Sequence, residues 1–185
     1  MKFLFDNSKI DEDLIYLKDD KIQNELCNKL NDTKTLIDEY PKEWEYAKKN
    51  IHDHEYIYTS YHRNNISKIS PISRSYFKFT EIYYDYNILD KTKNNKIVCL
   101  AEAPGGFIQS ILHLLSYEKI THIYGNSLQS EIKSIPKWNT KLINYDKISF
   151  YNGINDDGDL YDFMNVISLI NKYGKESVDL VTGDG

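Results

Sequence analysis

Two cysteines in 185 residues, Cys27 and Cys99, are too few for a disulfide framework. No apolar run approaches the ~20 residues that cross a bilayer. The start, MKFLFDNSKIDEDL, turns acidic too early for a secretory signal. A basic surplus is missing as well, since the net charge of −5 excludes a wholesale cationic nucleic-acid binder and leaves room only for a local patch. With 41% hydrophobic and 28% charged residues the chain reads as globular. The expectation is a soluble, cytoplasmic protein with reduced thiols and no membrane partner.

One local absence says more than the total. Between Glu55 and Glu81 there is no acidic residue, while Arg63, Lys68, Arg74 and Lys78 stand among Tyr56, Tyr58, Tyr61, Tyr76 and Phe77. Cations mixed with aromatics can grip phosphates and stack bases. On composition alone the plainer reading, a solvated loop whose tyrosines pack on a core, is the favoured one.

The first third is helical in pattern. Residues 8 to 50 carry Ser8 as an N-cap candidate, then Leu14, Leu17, Ile22, Leu26, Leu30, Leu36 and Ile37 as apolar positions, with Pro41 interrupting or restarting the run. Its dense acidic charge reads as a solvated helix face. Residues 51 to 72 read as a connector. From Ser73, read as an N-cap, a helix follows with Tyr76, Phe77, Ile82, Tyr83 and Leu89 as burial candidates.

After that the pattern predicts a strand over 96–101, a helix over 106–117, a strand over 121–128 and a Lys-rich loop with Pro136. A strand over 147–151, a helix over 161–174 ended by Gly174, and a strand from 178 complete the series. This is an α/β rhythm, which implies a mostly parallel sheet with right-handed crossovers.

The densest signal is KIVCLAEAPGGFIQ at 96–109, where a buried-type strand breaks at Pro-Gly-Gly and a helix follows at once. A strand feeding a helix through glycines leaves unpaired N–H groups aimed at a ligand. The turn is neither GxGxxG nor a loop ending in GK[ST], so the dinucleotide fingerprint and the P-loop both fail. An oxidoreductase using a nicotinamide cofactor is correspondingly disfavoured. Two further acidic features fall where an open α/β sheet places its ligand, beyond the carboxyl ends of the strands. One is the loop Asn155-Asp156-Asp157-Gly158-Asp159, whose carboxylates suit an adenine amino group although the loop alone reads as a solvated turn. The other is Asp184, delivered by Val178, Leu180 and Val181. No metal site is expected.

Three motifs in order now resemble one family. Ser73-Arg74-Ser75-Tyr76-Phe77-Lys78-Phe79-Thr80-Glu81-Ile82, Ala103-Pro104-Gly105-Gly106-Phe107-Ile108-Gln109 and Val178-Asp179-Leu180-Val181-Thr182-Gly183-Asp184-Gly185 look like the signature segments of the FtsJ-like (RrmJ-type) RNA 2′-O-methyltransferases. The resemblance extends to viral and eukaryotic mRNA cap enzymes. It implies a Rossmann-like class I methyltransferase sheet, here strands one to four, over residues 71–185, preceded by a helical extension and connector over 1–70. It further implies S-adenosylmethionine as cofactor and RNA, such as a capped 5′ end, as partner, in the cytoplasm or a virion. Lys78 and Asp184 map to the first two members of a Lys-Asp-Lys-Glu tetrad. Ala103, Pro104, Gly105, Gly106 and Phe107 map to the cradle of the methionine half, with Asn126 near the ribose and Asp159 at the adenine.

Two departures matter. Where many members carry an acid early in the first strand this chain has Cys99, so Glu102 either takes over part of the methionine-end contacts or faces solvent. The second Lys and the Glu of the tetrad would lie beyond Gly185. The expectation is a fragment or truncated frame whose fourth strand is an open edge, needing a missing C-terminal segment or a partner protein to cover it. The alternative function is an inactive methyltransferase-like module that binds RNA or a protein.

Overall fold

The computed structural model describes residues 20–49, 65–174 and 176–184. The chain divides into two units, Met1–Ile66 and Ser67–Gly185. In the first, α1 (Asp20–Thr35) runs into a short 3-10 turn (Leu36–Glu39), and α2 (Pro41–Lys49) begins at Pro41. Proline suits the first position of a helix, where its missing N–H costs nothing, so Pro41 restarts the helical run. Leu26, Leu30 and Leu36 are exposed. The Ser8 cap, Leu14 and Leu17 lie outside the described residues.

The second unit contains α3 (Ser75–Tyr86), β1 (Asn95–Leu100), α4 (Gly106–Leu114), β2 (Ile120–Gly125), α5 (Thr140–Ile143), β3 (Ile148–Phe150), α6 (Phe163–Tyr173) and β4 (Leu180–Gly183). The four strands form one parallel sheet in the order β3-β2-β1-β4. From β1 the chain steps outward to β2 and β3, then returns across β1 to lay down β4. The order therefore reverses between β1 and β4, and the crevice outside their carboxyl ends is where such sheets take ligands.

Strand alternation decides which residues face which layer. Ile97 and Cys99 of β1 join Ile123 and Ile148 in a core with Phe79 and Tyr83 of α3 and Phe107, Ile108 and Ile111 of α4. Val98 and Leu100 face the other way, towards Leu169 and Tyr173 of α6. A strand buried on both faces must be apolar throughout, which is why the run Ile-Val-Cys-Leu sits centrally. Among the described residues β4 is an edge of the sheet, and its Val181 is exposed. Beside it lies an apolar groove of about 460 Å³ lined by Val98, Leu100, Leu169, Ile170 and Val181.

Several sequence expectations need correction. Arg74, not Ser73, occupies the N-cap of α3, and its side chain makes no capping bond. Ser73 Oγ pairs with Ser75 Oγ at 2.6 Å instead. On α3 the buried stripe is Tyr76, Phe79 and Tyr83, spaced three and four apart, so Ile82 faces outward and Phe79 takes its place in the core. α4 ends at Leu114 rather than 117, and the Lys-rich loop contains the single turn α5, capped by Asn139 Oδ1 accepting the Lys141 N–H at 3.0 Å. Gly174 ends α6 with φ +89°, as its position predicts.

Candidate active site

The turn after β1 is held by packing at both glycines. Gly105 has φ +110°, a conformation that costs side-chain-bearing residues about 1–2 kcal/mol, and a Cβ there would sit 2.2 Å from Leu142 Cδ1. At Gly106 a Cβ would meet the hydroxyls of Ser73 and Ser75 at 2.2 Å each and the Tyr76 backbone N at 2.9 Å. Glycine therefore lets α4 start against the head of α3. The contact is sealed elsewhere as well. Gln109 Oε1 accepts the Ile72 N–H at 2.7 Å, and Thr80 Oγ1 and Ser110 Oγ lie 2.8 Å apart. Phe79 and Phe107 pack with ring centroids 5.2 Å apart. Two sequence motifs separated by a whole strand are thus one packed structure.

Glu102 resolves its open alternative. It is 2% exposed, and its Oε1 accepts the Phe107 N–H at 2.6 Å across the turn. The carboxylate meets an unpaired donor in the first turn of α4 instead of facing solvent. Burial pushes its carboxyl up to about 8, against the pull of the Phe107 N–H. Beneath it the Cys99 thiol is wholly buried and pushed up to about 12, so it is a packing group and not a nucleophile.

At the neighbouring carboxyl ends, Asn126 follows β2 and is fully buried. Its Nδ2 donates to the Tyr151 carbonyl at 3.3 Å. Asp159 lines a cavity of about 360 Å³ with Ala101, Leu128, Gly158, Leu160 and Tyr161. Its Oδ1 accepts the Tyr161 N–H at 2.8 Å, which fixes the carboxylate in an Asx-type turn. This cavity joins the end of β1 to the acidic loop after β3.

Lys78 and Asp184 meet across the switch point. Lys78 Nζ lies 2.8 Å from Asp184 Oδ1, the pair spanning 106 residues of sequence, with side chains 63% and 25% exposed. Asp184 is delivered there because β4 pairs with β1 through Leu100 and Gly183, the last residues of both strands. Arg74 precedes Lys78 by one helical turn, so the two share a face of α3. Lys68 is exposed in the approach to that helix. Arg63 lies outside the described residues, as do Tyr56, Tyr58 and Tyr61.

Two contributors escaped the sequence reading. Asn165, fully buried on α6, organises the acidic loop. Its Oδ1 accepts the Asn155 N–H at 3.1 Å, and its Nδ2 donates to Asp157 Oδ1 at 2.6 Å and to the Asp159 carbonyl at 3.0 Å. The available signal was a polar residue on the buried stripe Asn165-Leu169-Tyr173. Trp138, from the Lys-rich loop, packs on Phe150 with centroids 4.3 Å apart and lies against Gly105 and Gly125.

The donor set suits a nucleoside-linked cation. Glu102 Oε2 and Asn126 Oδ1 are buried acceptors without partners among the described residues, the glycine turn is closed to side chains, and Asp159 faces a cavity. S-adenosylmethionine, which brings an adenine, a ribose and an ammonium, fits these groups.

No helix among the described residues is long and apolar enough to cross a membrane. A search of curated proteins finds no match to the chain. A family model matches residues 71–185, the span of the second unit from Pro71 onward. That match covers more than half of the chain and includes the packed turn and the Lys78–Asp184 pair, so the protein belongs to the FtsJ-like methyltransferase family.

Proposed function

We propose that this methyltransferase transfers a methyl group from S-adenosylmethionine to a ribose 2′-hydroxyl of RNA. The observation that carries the reading is the 2.8 Å Lys78–Asp184 pair beside the sealed turn after β1, at the point where strand order reverses. When bound, the cofactor supplies an electrophilic methyl on a sulfonium. Ala103 to Phe107, with Glu102 and Asn126, would hold its methionine and ribose portions, and Asp159 its adenine.

A ribose hydroxyl is a weak nucleophile near neutral pH, so its placement matters most. Well-oriented intramolecular reactions reach effective molarities on the order of 10⁵–10⁸ M. Lys78, anchored by Asp184, would donate to the hydroxyl oxygen and fix a lone pair in line with the methyl; as the O–CH3 bond forms and the S–CH3 bond breaks, the hydroxyl proton would pass to solvent. Arg74, on the same face of α3, and Lys68 upstream supply cations for neighbouring phosphates. An RNA 5′ end of cap type is the substrate we favour within this class, on the likeness of the three motifs to cap enzymes.

The test uses S-adenosylmethionine with a deuterated methyl and short RNAs, capped or uncapped, carrying either a 2′-hydroxyl or a 2′-deoxy sugar at the first nucleotide. Mass spectrometry should find label on the 2′-oxygen of capped RNA and none on its deoxy counterpart. Equal labelling of the deoxy RNA would overturn the 2′-O assignment, and preference for uncapped RNA would overturn the cap assignment.

A further inference from the structure

The surface after β3 carries apolar side chains that the core does not use. Four of the eleven residues from Ile154 to Met164 are both apolar and exposed, namely Ile154, Tyr161, Phe163 and Met164, with the Tyr161 ring wholly in solvent. Leu128, from the loop after β2, is exposed too and borders the same cavity as Tyr161. Single exposed apolar residues are ordinary, but a cluster of this density marks a contact surface. Helix geometry accounts for part of it. α6 turns Asn165, Leu169 and Tyr173 inward, and Phe163, two residues before Asn165, falls on the opposite face.

The segment is held in place by its own hydrogen bonds. Asn155 Nδ2 donates to Asp162 Oδ2 at 2.6 Å, which draws together the stretches beside Ile154 and Phe163. Asp162 Oδ1 caps α6 by accepting the Met164 N–H at 2.8 Å, and the Gln129 N–H donates to the Asp157 carbonyl at 2.6 Å. Gly158 packs so closely on the neighbouring loop that a Cβ would lie 1.9 Å from the Ser127 carbonyl oxygen. The backbone is therefore fixed before any partner arrives, and little ordering cost is left for binding.

Charge decides what fits there. Between Lys147 and Lys172 the sequence has Asp156, Asp157, Asp159 and Asp162 and no lysine, arginine or histidine. Among the described residues no cation pairs with these carboxylates, whose hydrogen bonds come from amide N–H groups. A nucleobase could stack on Tyr161 or Phe163, but its phosphates would meet four carboxylates and no counter-charge. The cations suited to phosphate, Lys68, Arg74 and Lys78, belong to α3 and its approach.

We propose that the segment from Ile154 to Met164, with Leu128, is the docking surface for a protein partner that presents apolar side chains flanked by lysines or arginines. Tyr161 and Phe163 anchor the contact by burial, and the aspartates steer and orient the cationic flanks. The inference goes beyond the methyl-transfer reading and stands without it.

Fluorescence anisotropy on the full chain tests this with three labelled peptides of about 18 residues, five helical turns each. One is an amphipathic Leu–Lys helix, the second has Glu in place of every Lys, and the third has Ser in place of every Leu. The Leu–Lys peptide should bind about tenfold tighter than either, and its affinity should fall as salt rises. Phe163→Ser combined with Met164→Ser should weaken it about tenfold. Asp156→Asn should weaken it by a smaller factor that vanishes at high salt, since Asn tolerates the left-handed φ of +55° at that position. Val181→Ser, in the apolar groove beside β4, should leave binding unchanged. All these side chains but Asp156 are exposed apolar groups, so the serine variants should keep the wild-type denaturant midpoint. Equal binding of the Lys and Glu peptides, or loss of binding in Val181→Ser but not in the double variant, would overturn the inference. So would a single-stranded RNA whose affinity the double variant abolishes, or a dimer in sedimentation that the double variant dissolves. None of these outcomes depends on methyl transfer, so failure here leaves that reading intact.

Discussion

In the turn after β1, Gly105 and Gly106 lie against Leu142, Ser73 and Ser75 with no room for a methyl group, and Gln109 ties the following helix to Ile72. A few residues away, Lys78 reaches with a largely exposed side chain to the part-buried Asp184. The turn is formed before any ligand arrives, because its partners are core and backbone. The ion pair is screened by water and free to adjust. A cofactor that must be held in one pose suits the first kind of construction, and a substrate that must enter and leave suits the second. Stability and chemistry should therefore separate cleanly between the two regions.

The largest effect on stability is expected where the turn joins the core. Phe107→Ala removes a buried ring packed on Phe79 and should cost about 3–5 kcal/mol, seen as a lowered denaturant midpoint. Gly105→Ala adds a methyl group 2.2 Å from Leu142 at a left-handed φ and should cost about 1–3 kcal/mol in the same assay, with cofactor affinity falling further than stability.

Glu102 makes the turn sensitive to pH. Its carboxyl titrates near 4.5 when unfolded and is pushed up to about 8 by burial in the fold. Between those values the folded state binds the proton that the unfolded state has lost, so this residue's contribution makes stability fall as pH rises from about 4.5 to 8. Glu102→Gln should remove that slope, as measured by the difference between wild-type and variant unfolding curves across the window. At the ion pair the expectation reverses. Lys78→Met should shift stability by no more than about 1 kcal/mol, the usual range for an exposed pair, while methyl transfer is lost in a radiometric assay.

Much of this architecture was legible because it is local or periodic. The apolar run of β1 announces a strand buried on both faces, and the break at Pro-Gly-Gly announces the turn. What escaped depends on partners distant in sequence. Nothing near Gly105 says that Leu142 will cover it, and nothing near Glu102 says that β2 and α4 will close over its side chain. Capping rules favour Ser73, but the serine hydroxyl is taken by Ser75 in the cramped space beside Gly106, so Arg74 falls at the cap. Asn165 looks like an interruption of an amphipathic helix until the loop it holds is in place. Asp184 was legible as a carboxylate at the end of an apolar strand, whereas Lys78 was found only through the family likeness, since a lone surface lysine carries no signal of a partner 106 residues away.

Asp184→Asn tests the division of labour most directly, because it keeps the shape of the side chain while removing the charge that anchors Lys78. Cofactor affinity by calorimetry and 2′-O-methyl product by mass spectrometry should be measured on the same preparation. The structure predicts S-adenosylmethionine affinity close to that of the wild type with methyl transfer abolished. Undiminished transfer, or loss of cofactor binding in a protein that still unfolds like the wild type, would contradict it.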